Sequence, residues 1–156
     1  MKVIIALLLA LIFIPLYACK ADGDTASANN SNNITITDSM KLRITVGDKV
    51  LTARLYDNVT TRDFIALLPI TVNLEDFAGT EKIFYPSRTL STNERKAVSD
   101  PAIGDINCYA PWGNIAIFYK NYSGSRDLIR IGRIEGAIDA LSIPGSVNNV
   151  KFELVQ

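Results

Sequence analysis

The sequence predicts a mainly-β domain, a closed eight-stranded antiparallel barrel with two short capping helices. Three observations lead there. Downstream of residue 39 the chain divides into eight short apolar segments, most of them alternating with period two. Gly, Pro, Asn and Asp punctuate them at close spacing, as turns require. Only two stretches carry apolar residues at helical spacing. Eight short strands left as an open sheet expose two edges, which closure removes, and two helices suffice to plug the open ends.

Each element has its own signal. Met40, Leu42, Ile44 and Val46 alternate with Lys41, Arg43 and Thr45, the pattern of a half-buried strand. Gly47-Asp48 suits a two-residue hairpin turn, and the return strand, Val50 to Tyr56, puts Leu51, Ala53 and Leu55 on one face. A helix follows, with Thr60 as N-cap, Asp63 three residues on and Val59 placed to staple Phe64. Phe64, Ile65, Leu67 and Leu68 form its apolar stripe, and Pro69 ends it. Ile70, Val72 and Leu74 read as the third strand, Glu75 to Gly79 as a turn, and Lys82 to Tyr85 as a short fourth strand stopped by Pro86. Ser87 to Ala102 is polar and patternless, the longest internal loop, and loops of that length in small domains are often functional.

The segment GDINCYAPWGNIAIFY, Gly104 to Tyr119, supplies strands five and six around a Pro-Trp-Gly-Asn reversal whose Trp112 is the only tryptophan. Leu128 to Ile134 is strand seven. Ile134, Ile138 and Leu141 recur at helical spacing before Pro144-Gly145, which predicts the second helix. Val150, Phe152 and Leu154 alternate as the final strand.

Upstream of the domain, Met1 and Lys2 precede an apolar run from Val3 to Leu16, and polarity returns at Lys20. This is a signal-peptide layout, too short for a spanning helix of about 20 residues. Leu16-Tyr17-Ala18-Cys19 resembles the bacterial lipobox, which implies cleavage before Cys19 and lipid on its thiol. Cleavage near Ala18 or Ala21 without lipidation is the alternative. Residues 1–18 are therefore read as signal peptide, 19–38 as lipidated Cys and flexible tether, and 39–156 as the barrel. The tether's Asn, Ser, Thr and Asp offer little to bury against the entropy of ordering. The expected location is the bacterial cell envelope, lipid-anchored and facing outside the cytoplasm, with a soluble secreted or periplasmic form as the alternative.

Composition excludes several functions. The formal net charge is zero, and removing the leader with Lys2 takes it to minus one, so no electrostatic footprint for nucleic acid exists. The chain has no histidine, hence no Ser-His or Cys-His pair and none of the commonest metal ligand. Metal and triad chemistry are not expected, and no cofactor is called for. With Cys19 lipidated, Cys108 has no disulfide partner, and it reads as a small buried strand residue. Glu75-Asp76 and Asp100-Asp105 read as solvated loop charges, and Asp105 and Asn114 as turn residues.

The order of elements resembles the cyclophilin fold. TARLYDNVTTRDFIALLP is similar to the cyclophilin segment of strand, acidic residue and Thr-capped helix, and IGRIEGAIDAL to the one leading into its second helix. GDINCYAPWGNIAIFY, with the preceding EKIFYPSRTLS, resembles the bacterial cyclophilin-like domain family over Met40 to Gln156. True cyclophilins isomerise X-Pro bonds in an apolar groove where an arginine engages the peptide carbonyl beside a histidine. Here the histidine is missing, and Phe84-Tyr85-Pro86-Ser87-Arg88 offers only a displaced arginine.

Two functions are carried forward. In the first, the domain is non-catalytic and binds a small ligand or peptide through a rim of Arg88, Tyr109 and Trp112, with Trp112 as a core cap the competing reading; Tyr119 is assigned to the barrel filling. In the second, it is a peptidyl-prolyl isomerase with a degenerate site. A peptide or protein partner and membrane lipid through Cys19 are the expected contacts. The resemblance also implies a flavodoxin-like partner, because such domains occur beside flavodoxin-like modules.

Overall fold

A computed structural model of the chain describes residues 36–93, 100–124 and 127–155. Residues 1–35, on which the signal-peptide and lipidation readings and most of the tether reading fall, lie outside the described residues. Eight strands form a closed barrel, and every neighbouring pair is antiparallel. They are β1 (Ile36–Val46), β2 (Lys49–Tyr56), β3 (Ile70–Phe77), β4 (Glu81–Phe84), β5 (Asp105–Tyr109), β6 (Asn114–Phe118), β7 (Leu128–Glu135) and β8 (Val147–Val155). Around the ring the order is β1-β2-β7-β5-β6-β4-β3-β8, and β8 closes it by pairing with β1 and β3. β1 begins ahead of the boundary read at residue 39.

Period-two alternation decides which side chains fill the barrel. Leu42 and Ile44 of β1, Leu51, Ala53 and Leu55 of β2, Ile106 and Cys108 of β5, Ile115 and Ile117 of β6 and Phe152 of β8 all belong to one buried cluster. Phe64 enters it from α1 (Val59–Ile65) and meets Phe152 edge-on at 6.4 Å. Each fully buried aliphatic or aromatic side chain contributes roughly 1.5–3 kcal/mol, so the core needs no cross-link. β7 lies so close to β2 that a Cβ on Gly132 would sit 2.5 Å from the Arg54 carbonyl oxygen. Only glycine fits there.

Three expectations change. Among the described residues α1 is the single helix. The stretch after Ile134 is not helical, because Gly136 leaves β7 at φ +86° and a tight turn returns the N–H groups of Leu141 and Ser142 to the Ile138 carbonyl. Ile138 and Leu141 are buried as predicted, but an i, i+3 apolar pair satisfies a turn as well as a helix. The N-cap of α1 is Asn58 rather than Thr60; its Oδ1 accepts the Thr61 N–H at 2.8 Å. β3 also runs through Phe77, into the span read as a turn, since Phe77 pairs with Glu81 and the chain reverses only beyond it, at Ala78 and Gly79.

Candidate ligand cleft

Where most strands bury one face, β4 and β6 bury both. Ile115 and Ile117 point into the barrel, while Ala116 and Phe118 point outward and join Ile83 of β4 and Leu128 of β7 in a second apolar cluster, with Tyr109 packed on its margin. That outward cluster is the floor of a cavity of about 430 Å³, whose walls include Phe77, Trp112 and Tyr122.

The wall is a chain of aromatic contacts. Trp112, at the tip of the connection from β5 to β6, meets Tyr109 at 5.4 Å and Phe77 at 5.7 Å, both nearly perpendicular. Edge-to-face pairs of this kind add about 0.5–1.5 kcal/mol beyond burial. The tip is shaped by hydrogen bonds from the N–H groups of Trp112 and Gly113 to the Tyr109 carbonyl, with Gly113 at φ +71°. Since Phe77 belongs to β3 and Tyr109 to β5, the wall spans β4 and β6, which carry most of the floor. Trp112 is 54% exposed, so it is a rim residue rather than a core cap.

The polar groups of the cleft are poorly matched by the protein. Asn114 is 2% exposed, and its side-chain Oδ1 has no hydrogen-bond partner. A buried acceptor left so costs about 1–3 kcal/mol. Burial alone raises the Glu81 carboxyl to a pKa of about 7; among the described residues no cation offsets that desolvation. Asp127 also lines the cleft, at φ +64°, and its carbonyl accepts the Ala110 N–H. The described lining holds no lysine or arginine.

Of the rim residues read from sequence, the structure brings Tyr109 and Trp112 together and leaves Arg88 out. Arg88 donates to the Asp63 carbonyl at 3.0 Å and faces the Asp63 carboxylate at 3.8 Å. Thr60 Oγ1 bonds the Ser91 carbonyl, and the Ser91 N–H bonds Asp63, so these contacts pin the start of the long loop to α1. Asp63 consequently titrates below the usual carboxylate range, chiefly through its hydrogen bonds with Ser91. Cys108 is fully buried, and burial lifts its thiol to a pKa of about 11, which keeps it protonated and unreactive. Asp105 holds a turn, accepting the Ala102 N–H and the Arg133 guanidinium. Phe77, Glu81 and the acceptor role of Asn114 were not singled out from sequence. The available signal was the outward parity of Glu81 and Ile83, which becomes a site only once β4 is paired with β6.

On the opposite side of β4, Lys82 points inward and is fully buried. Its ammonium donates to Asp76 Oδ1 at 2.6 Å and to the Ile143 and Gly145 carbonyls at 2.5 and 2.6 Å, and Tyr119 donates its hydroxyl to the same Asp76 oxygen. Asp76 is thus no solvated loop charge: the hydrogen bonds from Lys82 and Tyr119 lower its pKa, while burial with this carboxylate raises Tyr119 to about 12.

A second depression, of about 490 Å³, lies near Arg54, Arg133 and Glu135. Arg54 pairs with Glu135 and Arg133 with Asp105. Among the described residues no group of three His, Cys, Asp or Glu side chains is placed to hold a metal.

Comparison with known proteins gives two matches. Residues 44–153 fit the family model described as the Cyclophilin-like family. The solution structure of the hypothetical protein AF2241 from Archaeoglobus fulgidus aligns with a TM-score of 0.57 at 20% identity, covering 74% of this chain and 94% of that one. At such identity the likeness speaks to the fold. No curated protein matches the chain.

Proposed function

The chain belongs to the cyclophilin-like family, and we propose that it is a binding module of non-catalytic type, taking a small ligand or peptide in the outer cleft between Trp112 and the floor of β4 and β6. The observation that carries this reading is the pairing of a preformed cavity over an apolar floor with a buried side-chain acceptor in its lining residue Asn114 that the protein itself leaves unmatched. Concave, mostly apolar sites with a few convergent polar groups are the usual form of a ligand pocket. The non-catalytic part is supported by the missing histidine and by Arg88, whose guanidinium is engaged with Asp63 of α1. Isomerisation requires groups that favour the twisted amide over either planar form, and neither Tyr109 nor Trp112 carries a charge for that purpose.

The module works at the cell envelope, held by lipid on Cys19 and spaced from the membrane by the polar stretch that follows. The leader layout supports this part.

Trp112 reports on its own site. A fragment and peptide screen by thermal shift and tryptophan fluorescence should yield saturable ligands whose effect disappears in Trp112→Ala; hits that survive this substitution place binding elsewhere. A proline-peptide assay at high protein concentration should show no rate above background. Fatty-acid labelling should mark the wild type and be lost in Cys19→Ser; label persisting in that variant sinks the anchor.

A further inference from the structure

Two acceptors of the cleft, Glu81 and Asn114, stand far apart along its floor. Glu81 pairs with Phe118 in the ladder between β4 and β6, whereas Asn114 stands at the start of β6 opposite Tyr109 of β5. Glu81, Ile83, Asn114, Ala116 and Phe118 all line the cavity, so one face of the sheet carries both polar groups with an apolar floor between. From Phe118 to Asn114 the strand advances roughly 13 Å at the usual rise per residue. One small ligand group cannot satisfy both. A linear ligand lying along β6 can.

The chemistry of each end follows from what is present there. Glu81 is an acid without a cation, flanked by Phe77 and Phe118 across its two ladders. Carboxylate and ring faces together favour an ammonium, through a charge-assisted hydrogen bond and cation–π attraction. Asn114 Oδ1, buried and unpartnered, requires a donor. Between them, Ile83 and Ala116 offer only hydrocarbon, with the Tyr109-Trp112-Phe77 wall beside it.

Resting on the binding-module reading, we propose that the cleft takes linear aliphatic amines, one ammonium on Glu81, the alkyl chain over Ile83 and Ala116, and a second N–H donor at the far end on Asn114. The preferred class is the long α,ω-diamine, a dication that meets an acceptor at each end of an apolar trough.

The test is a fluorescence titration of the full chain with 1,8-diaminooctane, octylamine, octane-1,8-diol, octanoate and 1,4-diaminobutane. The long diamine should saturate the Trp112 signal, with the diol, octanoate and short diamine weaker by about tenfold or more, the scale of one charged hydrogen bond. Glu81→Gln should weaken both amines about tenfold, and Asn114→Ala should weaken the diamine while leaving octylamine unchanged. Both variants must melt cooperatively as the wild type does. Equal binding of diol and diamine, or unchanged amine affinity in Glu81→Gln, overturns the ammonium assignment and leaves the module standing. If no probe binds while other ligands are lost in Trp112→Ala, the diamine class is wrong and the cleft is right; if nothing binds at all, both fall.

Discussion

Glu81 and Lys82 are neighbours in β4 and face opposite sides of the same sheet, one toward the cleft and one into the barrel. Lys82 is the more deeply buried, yet all three of its donor positions are used, by a carboxylate and two backbone carbonyls. Glu81 is only half buried, and burial dominates its titration because no partner offsets it. The difference separates structure from recognition better than depth does. A buried charge with a complete set of partners is part of the fold, whereas a desolvated one without partners awaits something the chain does not supply.

Substitutions can break that contrast. Lys82→Met should cost roughly 3 kcal/mol or more in urea unfolding, because it strands the Asp76 carboxylate and frees the Ile143 and Gly145 carbonyls; a neutral result would mean that the cluster holds nothing together. Tyr119→Phe removes one hydroxyl from Asp76 and should cost about 1 kcal/mol by the same measurement.

Titration sharpens the comparison, since the two carboxylates act with opposite sign. The folded pKa of Glu81 is raised from 4.5 to about 7, so its contribution is complete below the unfolded value and is lost as pH rises through about 7. The melting temperature should therefore rise on acidification through that window, and Glu81→Gln should flatten it. No histidine titrates there to obscure the effect. The folded pKa of Asp76 is depressed below 3.8; its contribution is present above that value and lost on further acidification. The smallest effect belongs to Asn114→Ala, where relief of an unmatched acceptor and loss of the buried side chain's own packing oppose each other, so stability should stay within about 1 kcal/mol of the wild type in the same melts.

How much of this was legible depended on whether the information was local. Alternation at Leu42 and Ile44, or at Leu51, Ala53 and Leu55, reports burial directly, because a strand's period is two residues and its inward face is the barrel. The connection from Tyr109 to Asn114 was equally plain, since Pro111 and Gly113 dictate a reversal. The segment from Ile134 to Leu141 misled because its apolar spacing suits a helix, and only Gly136 argued otherwise. Tyr109 and Trp112 were found as candidates because they are close in sequence. Glu81 and Phe77 were not, since they reach the cleft through ladders that join β3 to β4 and β4 to β6. Arg88 was attractive by composition, but its partner, Asp63, is set by how the loop docks on α1.

The closure of the ring has a consequence for biosynthesis. β1 is the first strand made and finds its second neighbour only in β8, which also supplies the missing neighbour of β3. Until β8 is available, β1 and β3 present two unpaired strand edges and the interior is incomplete. Closure of the ring therefore waits for β8, and pairing across so long a stretch of sequence is slow. The edges of β1 and β3 depend on protection from other chains until the nine-residue β8 docks between them.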